Sequence, residues 1–460
     1  MPSATGHAPD LEKFTKSLKG QPLEASVECL ISLLKRRQIK GPEPCAIATA
    51  HILLQVVAKS KWNDVDGLLN NVSKTGRRLL EAVPNELVVG NIVRRVLGLI
   101  RDEASEDRND GGDDTASEAP TPTTELPPTG LAQHWPAVSS FARRDRDGPG
   151  TGTGTGSIAS STTAASPRIR PGLVSSYSSV SVAKSLFHLL SASPPTDGDV
   201  SPFRTSGAST PTWRGNTSQV HALRSEVING IEEIMDEIGQ VDDQIAAAAD
   251  AQIHPGDYVL VHQPSPTVER FVLRAAQKRS FTVLISVAPP RGRHPDVGPT
   301  QHAAFRKKLA AAGVPALNVA NSGLTAYMSR VNKVIIGAHA IVANGGVLAD
   351  AGAAAIARAA SEQGRAVFAL GGIYKLSPET PFDESSLIEW GDSSTFVSFA
   401  DGPMVSGVEI RTALTELVPA ELIDTYITNL GAHVRDHLSS LITDHYKQED
   451  ADFHIWNDDE

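Results

Sequence analysis

Residues 328–346 read MSRVNKVIIGAHAIVANGG, and this stretch decides the fold class of the chain. Its centre, Val334–Ile336, is a short apolar run typical of a buried parallel strand. In doubly wound α/β proteins, ligands bind at the loops that leave the carboxyl ends of such strands. The following loop, 337–346, supplies one imidazole, His339, and one carboxamide, Asn344, but no carboxylate or thiol. The loop therefore has the position of an active site and few groups that perform chemistry.

Beyond residue 250, short apolar segments alternate with amphipathic helical ones. Strands are predicted at Tyr258–Val261, Phe281–Val287, Pro315–Val319, Val334–Ile336 and Ala366–Leu370. Helices are predicted at Val268–Lys278, Thr300–Ala312, Leu324–Val331 and Ala349–Gln363, followed by a helical pair at Ala420–Asn429 and His433–Tyr446. This alternation predicts an α/β fold, a Rossmann-like doubly wound parallel sheet with helices on both faces.

The rest of the chain divides by composition. Residues 1–104 carry apolar side chains at helical spacing and predict an all-helical domain. Residues 105–215 are first acidic and then rich in Ser, Thr, Gly and Pro, so they bury too little apolar surface to offset the entropy of ordering. We predict a low-complexity, mostly disordered insertion there, with a short apolar cluster at 183–190. The remaining segments are a connecting helix (216–250), the Rossmann-like α/β domain (251–447) and an acidic tail (448–460).

Composition also excludes several classes of protein. A formal net charge of −11 argues against a general nucleic-acid binder, because phosphate contacts need clustered Lys and Arg. The two cysteines, Cys29 and Cys45, provide neither a disulfide framework nor a cysteine-based zinc site. No apolar run approaches the ~20 residues that span a bilayer. We expect a cytosolic protein without a metal, a cofactor, direct nucleic-acid contact or membrane contact.

The loops of the α/β domain contain few catalytic candidates. The turn after the first strand, HQPSPT at 262–267, has two prolines without amide donors and no glycine, which argues against dinucleotide binding. His339 is the sharpest candidate, because an imidazole at a strand end can act as an acid or a base. The favoured alternative is a hydrogen bond to a loop backbone or a subunit contact, since no reacting partner is evident. Asn344-Gly345-Gly346 is typical of a tight turn.

One face of the helix predicted at 86–103 combines small and basic side chains. Gly90 and Gly98 flank Arg94 at intervals of four. Each mid-helix glycine costs ~1 kcal/mol relative to alanine, so this face predicts the close approach of another backbone. Arginines beside it are suited to an acidic or phosphorylated partner, with a solvated basic face as the equal alternative. The candidate interface residues of this part of the chain are Arg77, Arg78, Asn91, Arg94 and Arg95.

Three stretches resemble the regulatory-subunit family (alpha, beta and delta) of the eukaryotic guanine-nucleotide exchange factor that recharges translation initiation factor two. They are Val89–Leu97 with Arg101–Glu103, Met328–Gly337 with Asn344–Gly346, and Lys375–Pro378 with Val418–Ile423 and Asn429–Gly431. The first stretch and residues 328–333 are most similar to the beta branch. Residues 337–339 and 344–345 are shared with the delta branch, so a delta paralogue is the alternative.

The resemblance implies a non-catalytic regulatory subunit of that exchange factor. Such a subunit would assemble with alpha, gamma, delta and epsilon subunits. It would bind the alpha subunit of initiation factor two, phosphorylated or unphosphorylated, and couple phosphorylation to exchange. The similarity at 328–333 adds Met328, Arg330 and Asn332 to the candidate partner interface.

An enzyme is the alternative hypothesis to a regulatory subunit. The same fold occurs in sugar-phosphate isomerases resembling methylthioribose-1-phosphate isomerase, which use a cysteine after the first strand and an aspartate in a Gly-Ala-Asp loop. Here Gln263 falls near the first position, His339 takes the second, and no cysteine follows Cys45. A sugar-phosphate isomerase-like enzyme or a sugar-phosphate-binding protein is therefore the other alternative. We interpret Gln263, His339 and Asn344 as a vestigial pocket.

Overall fold

The computed structural model describes residues 9–110, 214–287, 302–380, 384–391 and 407–452. These residues all belong to one compact unit. The predicted insertion falls mainly on residues 111–213, which lie outside the described residues together with the apolar cluster at 183–190. Within the described ranges, no helix is both long enough and apolar enough to cross a bilayer.

Helices make up the first part of the described chain and the segment before the sheet, which together we call the helical region. Their bounds are α1 Pro9–Ser17, α2 Leu23–Lys35, α3 Pro42–Lys59, α4 Val65–Ala82, α5 Leu87–Asp110, α6 Arg214–Ala247 and α7 Ala249–Gln252. Local sequence sets several of the ends. Asp64 begins α4, because its side chain accepts a hydrogen bond from the amide of Gly67 at 2.9 Å. Pro42 opens α3, where a proline is preorganised for the first helical turn.

The α/β region, residues 258–452, contains the sheets. Its elements in chain order are β1 Tyr258–His262, α8 Pro266–Ala276, β2 Thr282–Val287, α9 Ala303–Ala311, β3 Ala316–Ala320, α10 Leu324–Met328, β4 Lys333–Gly337, β5 Ala340–Ile341, β6 Val347–Asp350, α11 Ala353–Glu362, β7 Ala366–Leu370, β8 Trp390–Gly391, β9 Thr412–Ala413, β10 Thr415–Val418, β11 Thr425–Thr428, β12 Gly431–His433 and α12 Arg435–His445. Two small sheets, β10-β6-β5 and β8-β9, accompany the main one.

The main sheet has seven strands in the order β12-β11-β7-β4-β1-β2-β3. Its neighbours pair in parallel except for β11 and β12, which are antiparallel. In the central register, Leu260 lies opposite Leu284 on β2 and Val334 on β4. The strands read as continuous apolar runs because both faces of the sheet are buried. The predicted doubly wound sheet is thus confirmed.

One apolar core joins the helical region to one face of the sheet. It runs from Val96 on α5 and Ile231 on α6 through Phe271 on α8 to Val259 and Ile335 on the sheet. A second core covers the opposite face, where α10, α11 and α12 pack. The stabilisation from burying apolar groups is roughly proportional to the apolar area removed from water. The shared core therefore holds the helical and α/β regions together.

Several elements differ from the sequence prediction in type or in extent, and four of these differences are described here. Residues 420–429 form a 3-10 turn and strand β11 instead of a helix, since Tyr426 and Ile427 pair with β7 and enter the cores. The helix predicted from Ala349 begins at Ala353, because residues 347–350 form β6 against β10. Helix α5 continues to Asp110, into the predicted insertion. In the predicted acidic tail, residues 448–450 form a 3-10 turn with Asp450 buried.

A glycine marks the closest approach of α6 to the sheet, and it provides a test of this packing. A Cβ at Gly372 would collide with Val241 Cγ1 on α6 and with the ring of Tyr374. We expect Gly372→Ala to lower the free energy of unfolding by about 1–3 kcal/mol, because the overpacked side chains must move. Gly239→Ala is the matched control: it adds a Cβ to α6 where nothing lies within 4 Å. It should stabilise the helix by up to ~1 kcal/mol.

Urea denaturation of both variants measures this difference. Equal stabilities for Gly372→Ala and the unsubstituted chain would contradict the close packing of α6 on the sheet.

Candidate functional site

The strand order creates a crevice where an α/β protein binds its ligand. From β1 the chain proceeds to β2 and β3 on one side, then crosses back so that β4 lies on the other side of β1. Ligand sites of open α/β sheets lie at such a switch point, outside the carboxyl ends of the strands. Here these ends carry His262 and Gln263 after β1 and Gly337–His339 after β4.

The chain's own atoms fill this crevice closely. A Cβ at Gly337 would lie 2.8 Å from Ser265 Oγ, the side chain that caps α8 by accepting from the Val268 amide. A Cβ at Gly352 would lie 3.1 Å from His262 Cε1. Both glycines lie close to these side chains, and Gly352 also has a φ of 103°, so the loops after β1, β4 and β6 pack against one another at the end of the sheet where a ligand would enter.

His262 was not among the predicted site residues, yet it is at the centre of this packing. It is buried, with Nε2 3.1 Å from the carbonyl oxygen of Ala351 and Nδ1 3.2 Å from Ser286 Oγ. Ser286 in turn donates to Asn321 Oδ1 at 2.5 Å. Burial lowers the pKa of His262, because desolvation disfavours the imidazolium. The ring is a neutral tie between β1, β2 and the start of α11. The sequence signal that could have identified His262 as a site residue is its position at the end of the first strand.

His339 acquires a carboxylate partner that the loop sequence lacks. Its Nε2 lies 3.2 Å from Asp350 Oδ1 at the end of β6, and both side chains are about one-third exposed. The fold supplies this pair because β5 and β6 form a hairpin that returns the chain to the loop after β4. A histidine and a carboxylate can act together in acid–base chemistry. Gln263, the other predicted pocket residue near the strand ends, is half-buried with a left-handed φ of 42°.

Charged groups of the helical region cover the same end of the sheet. Lys375 is buried and donates from Nζ to the carbonyl oxygen of Ala338 at 2.9 Å. Burial lowers its pKa, opposed by the charges of Asp242, Glu43 and Glu86. Burial raises the pKa of the Glu86 carboxyl, opposed by His339 and Lys375. This cluster could not be predicted from the sequence, because its members come from α3, α6, the residue before α5 and the loop after β7.

The start of α11 is already occupied by a carboxylate. Glu416 on β10 accepts hydrogen bonds from the amides of Gly352 at 2.8 Å and Ala354 at 2.7 Å. The free amides at a helix N-terminus are a general binding site for phosphate and other anions. In this chain, Glu416 fills that position from within the fold.

Asn344 forms a turn outside the crevice. Its Oδ1 accepts from the amide of Gly346 at 2.7 Å, and Gly345 has a φ of 89°. Tyr426 on β11 donates its hydroxyl to the carbonyl oxygen of Gly345 at 2.6 Å, and burial raises the pKa of this tyrosine to about 12. Arg435 on α12 donates to the carbonyl of Asn344 at 3.1 Å. The Asn-Gly-Gly sequence thus forms a tight turn held by β11 and α12.

Residues 328–332 lie at the opposite end of β4 from His339. Met328 is buried in the core under the sheet. Arg330 and Asn332 are exposed at the amino end of the strand, where Asn332 Oδ1 accepts from the Tyr258 amide at 2.9 Å. Residues 328–346 therefore contribute to both ends of β4.

Two of the four candidate arginines on α4 and α5 point into the protein. Arg94 is completely buried, donating from Nη2 to Glu379 and from Nε to the carbonyl oxygen of Ala451 at 2.9 Å. Arg95 pairs with Glu237 on α6 at 2.6 Å. Asn91 is also buried, and its Nδ2 donates to the carbonyl oxygen of Tyr374 at 3.1 Å. The backbone predicted to approach this face of α5 belongs to the chain itself, and as candidate partner contacts Asn91, Arg94 and Met328 are corrected to core residues.

The remaining two arginines lie nearer the surface. Arg78, half-buried on α4, pairs with Glu24 and Glu28 of α2. Arg77 is half-buried and, with Leu80, Glu81, Pro84 and Glu379, lines a cavity of about 340 Å³. Within the ranges that the structure describes, no three His, Cys, Asp or Glu side chains are grouped to hold a metal ion.

Comparison with known proteins identifies the family of this chain. Residues 38–434 match the model of the initiation factor 2 subunit family. The chain belongs to this family. It is 32% identical over 434 residues to the translation initiation factor eIF2B subunit beta of Schizosaccharomyces pombe, covering 93% of this chain and 97% of that protein.

Two further similarities differ in extent. The chain resembles the crystal structure of the tetrameric eIF2B-beta2-delta2 complex from Chaetomium thermophilum with 40% identity and a TM-score of 0.60, covering 95% of this chain and 100% of that chain. Ribose 1,5-bisphosphate isomerase of Pyrococcus furiosus is 26% identical over 218 residues, covering 47% of this chain and 65% of that protein. The near full-length similarities support a subunit of the eIF2B complex.

The buried state of His262 predicts a pH dependence of stability for this family member. Its pKa is lowered in the folded chain, whereas in the unfolded chain it returns to about 6.5. Below that pH the unfolded chain binds more protons, so stability falls as the pH drops from 6.5. We expect His262→Gln to make this fall shallower by up to ~1.4 kcal/mol per pH unit.

Denaturation between pH 5 and pH 7 measures the slope. His221→Gln, on the exposed face of α6, removes a histidine of the unfolded chain without disturbing a buried one. Equal slopes for the two variants would contradict the neutral, buried assignment of His262.

Burial of Arg94 predicts a large effect on stability. Arg94→Ala leaves Glu379 without its buried cation, and we expect the free energy of unfolding to fall by about 3–5 kcal/mol. Arg78→Ala is the control, because its acidic partners are exposed and such pairs contribute roughly 1 kcal/mol or less. Chemical denaturation compares the two. A loss for Arg94→Ala as small as that for Arg78→Ala would mean that Arg94 is not an internal tie.

Proposed function

We propose that this chain is a cytosolic, non-catalytic regulatory subunit of the guanine-nucleotide exchange factor for translation initiation factor two. It assembles with alpha, gamma, delta and epsilon subunits. Its helical region binds the alpha subunit of initiation factor two, phosphorylated or unphosphorylated, and so couples phosphorylation to exchange. The observation that carries the proposal is the ligand crevice of the sheet, which the chain fills with its own side chains.

The contents of the crevice argue against retained enzyme chemistry. Ser265 packs on Gly337 and His262 packs on Gly352, so side chains of this chain lie against the loops at the carboxyl ends of β1, β4 and β6. Glu416 occupies the helix amides that would hold a phosphate. No cysteine follows Cys45, which is buried on α3. The His339–Asp350 pair therefore has no cysteine nucleophile beside it in the described part of the chain.

A partner surface remains at the amino end of the sheet. Arg330 and Asn332 are exposed there, on the side away from the crevice. We propose that they contribute to the contact with a delta-type subunit, and that Arg77 and Arg78 belong to the rim of the helical region that meets initiation factor two. Similarity to the tetrameric beta2-delta2 complex supports a delta-type partner for this chain. Pairing with a beta subunit instead would indicate the delta paralogue.

Co-expression with a delta-type subunit tests the assignment. We expect native mass spectrometry to detect a hetero-oligomer containing both chains. Arg330→Glu should weaken it at least about tenfold, because a reversed charge at an interface costs on the order of 1.4 kcal/mol or more. Arg36→Glu, the same change at an exposed site after α2, should leave assembly unchanged. The purified chain alone should not accelerate nucleotide release from initiation factor two.

Two results would overturn the proposal. One is failure of the chain to assemble with any exchange-factor subunit. The other is turnover of ribose 1,5-bisphosphate by the chain alone that disappears in His339→Ala, which would establish the isomerase-like alternative.

A further inference from the structure

The end of the described chain crosses from the α/β region onto helix α5. After α12, residues Tyr446–Ala451, which we call the C-terminal strap, pass over the face of α5 that carries Gly98. A Cβ at Gly98 would lie 3.6 Å from Lys447 Cγ, so the strap lies directly on the helix. This face of α5 is therefore closed by the chain's own C-terminal segment.

A bidentate ion pair is the main contact of the strap. Asp450 is 2% exposed, and Arg101 on α5 donates to its Oδ1 from Nε at 3.1 Å and from Nη2 at 3.0 Å. The Nε also lies 3.1 Å from Oδ2. The Asp450 carboxylate raises the pKa of Arg101. Two parallel N–H···O bonds fix orientation as well as distance, so this pair holds the strap in one position along α5.

Two inner contacts connect the strap to both regions. The carbonyl oxygen of Ala451 accepts from Arg94 Nε, and the buried Tyr446 donates its hydroxyl to the carbonyl oxygen of Leu376 at 2.6 Å. Leu376 belongs to the loop after β7. The strap thus links the buried arginine of α5 to the carboxyl end of the sheet.

The outer contacts of the strap are open to solvent. Lys447 Nζ lies 2.8 Å from Asp102, with the two side chains 48% and 57% exposed. Glu449 lies 3.2 Å from Arg101 Nη1 and is 74% exposed. Such pairs contribute little and weaken with salt. These exposed outer contacts open at lower cost than the apolar core beneath the strap, and the Arg101–Asp450 pair is the charged contact that they surround.

We propose that the C-terminal strap is a conformational latch on helix α5. Closed, with Asp450 on Arg101, it holds α5 in register with the sheet. Open, it removes the Ala451 carbonyl oxygen from Arg94 and lets α5 shift by the small sliding movements that packed helices allow. Resting on the proposed function, the latch couples initiation factor two on the helical region to the rest of the assembly, so that response to the phosphorylated factor depends on it.

Hydrogen exchange of the chain within the assembled exchange factor tests the latch. Asp450→Asn keeps the size of the side chain and removes its charge, and we expect amides of α5 near Arg101 to exchange about tenfold faster or more. Glu449→Gln is the matched control, because it neutralises the neighbouring carboxylate on the same arginine and leaves the bidentate pair. Arg101→Lys is a second route to the open state, since lysine keeps the charge and cannot form the two parallel bonds.

The same complexes are then assayed for nucleotide exchange with unphosphorylated and phosphorylated initiation factor two. We expect Asp450→Asn and Arg101→Lys to retain assembly and lose at least half of the phosphorylation-dependent inhibition, with Glu449→Gln close to the unsubstituted complex. Exchange in α5 that is no faster in Asp450→Asn and Arg101→Lys than in Glu449→Gln would overturn the latch. Faster exchange with unchanged inhibition would overturn its regulatory role. If the unsubstituted complex is not inhibited at all, the proposed function fails, and the exchange rates still decide whether the latch exists.

Discussion

A buried guanidinium on helix α5 is the interaction on which the arrangement of the chain depends. Arg94 has no exposed surface, and Glu379 and the carbonyl of Ala451 reach it from the α/β region. Burying a charge without partners costs several kcal/mol, so these acceptors favour one position of α5 against the α/β region. The strap lies on the same helix, beside Gly98. The apolar core explains why the two regions associate, and the arginine explains why they associate in one register.

This constraint carries over to the carboxyl end of the sheet. With α5 in place, Glu86 at its start and Lys375 on the sheet side are enclosed near His339. His262 and Glu416 satisfy polar groups that a ligand would otherwise contact. The topology of a ligand-binding sheet is thus retained while its crevice is used for internal packing.

Much of the fold was predictable from local pattern. Strands such as Val334–Ile336 and Ala366–Leu370 are apolar runs bounded by turns, and burial on both faces makes that pattern unambiguous. The pattern failed at residues 420–429, where a strand of four residues near the sheet edge resembles a helical turn in its spacing of apolar groups. It also missed β6, because a short strand in a separate small sheet depends on β10 for its pairing. The sequence predicted that the pocket residues lie near the strand ends, but it did not predict which residues they contact.

By itself the sequence determined the alternation of strands and helices, the lack of cysteine beyond Cys45 and the tight turn at Asn344, because each depends on residues adjacent in the chain. Only the tertiary structure decided that Arg94 is an internal residue. Its acceptors lie 285 and 357 positions away, and the same glycine-flanked arginine pattern fits a surface for a partner equally well. Whether a charged helix face meets solvent, a partner or its own chain depends on which distant segment covers it, and local periodicity contains no information about that.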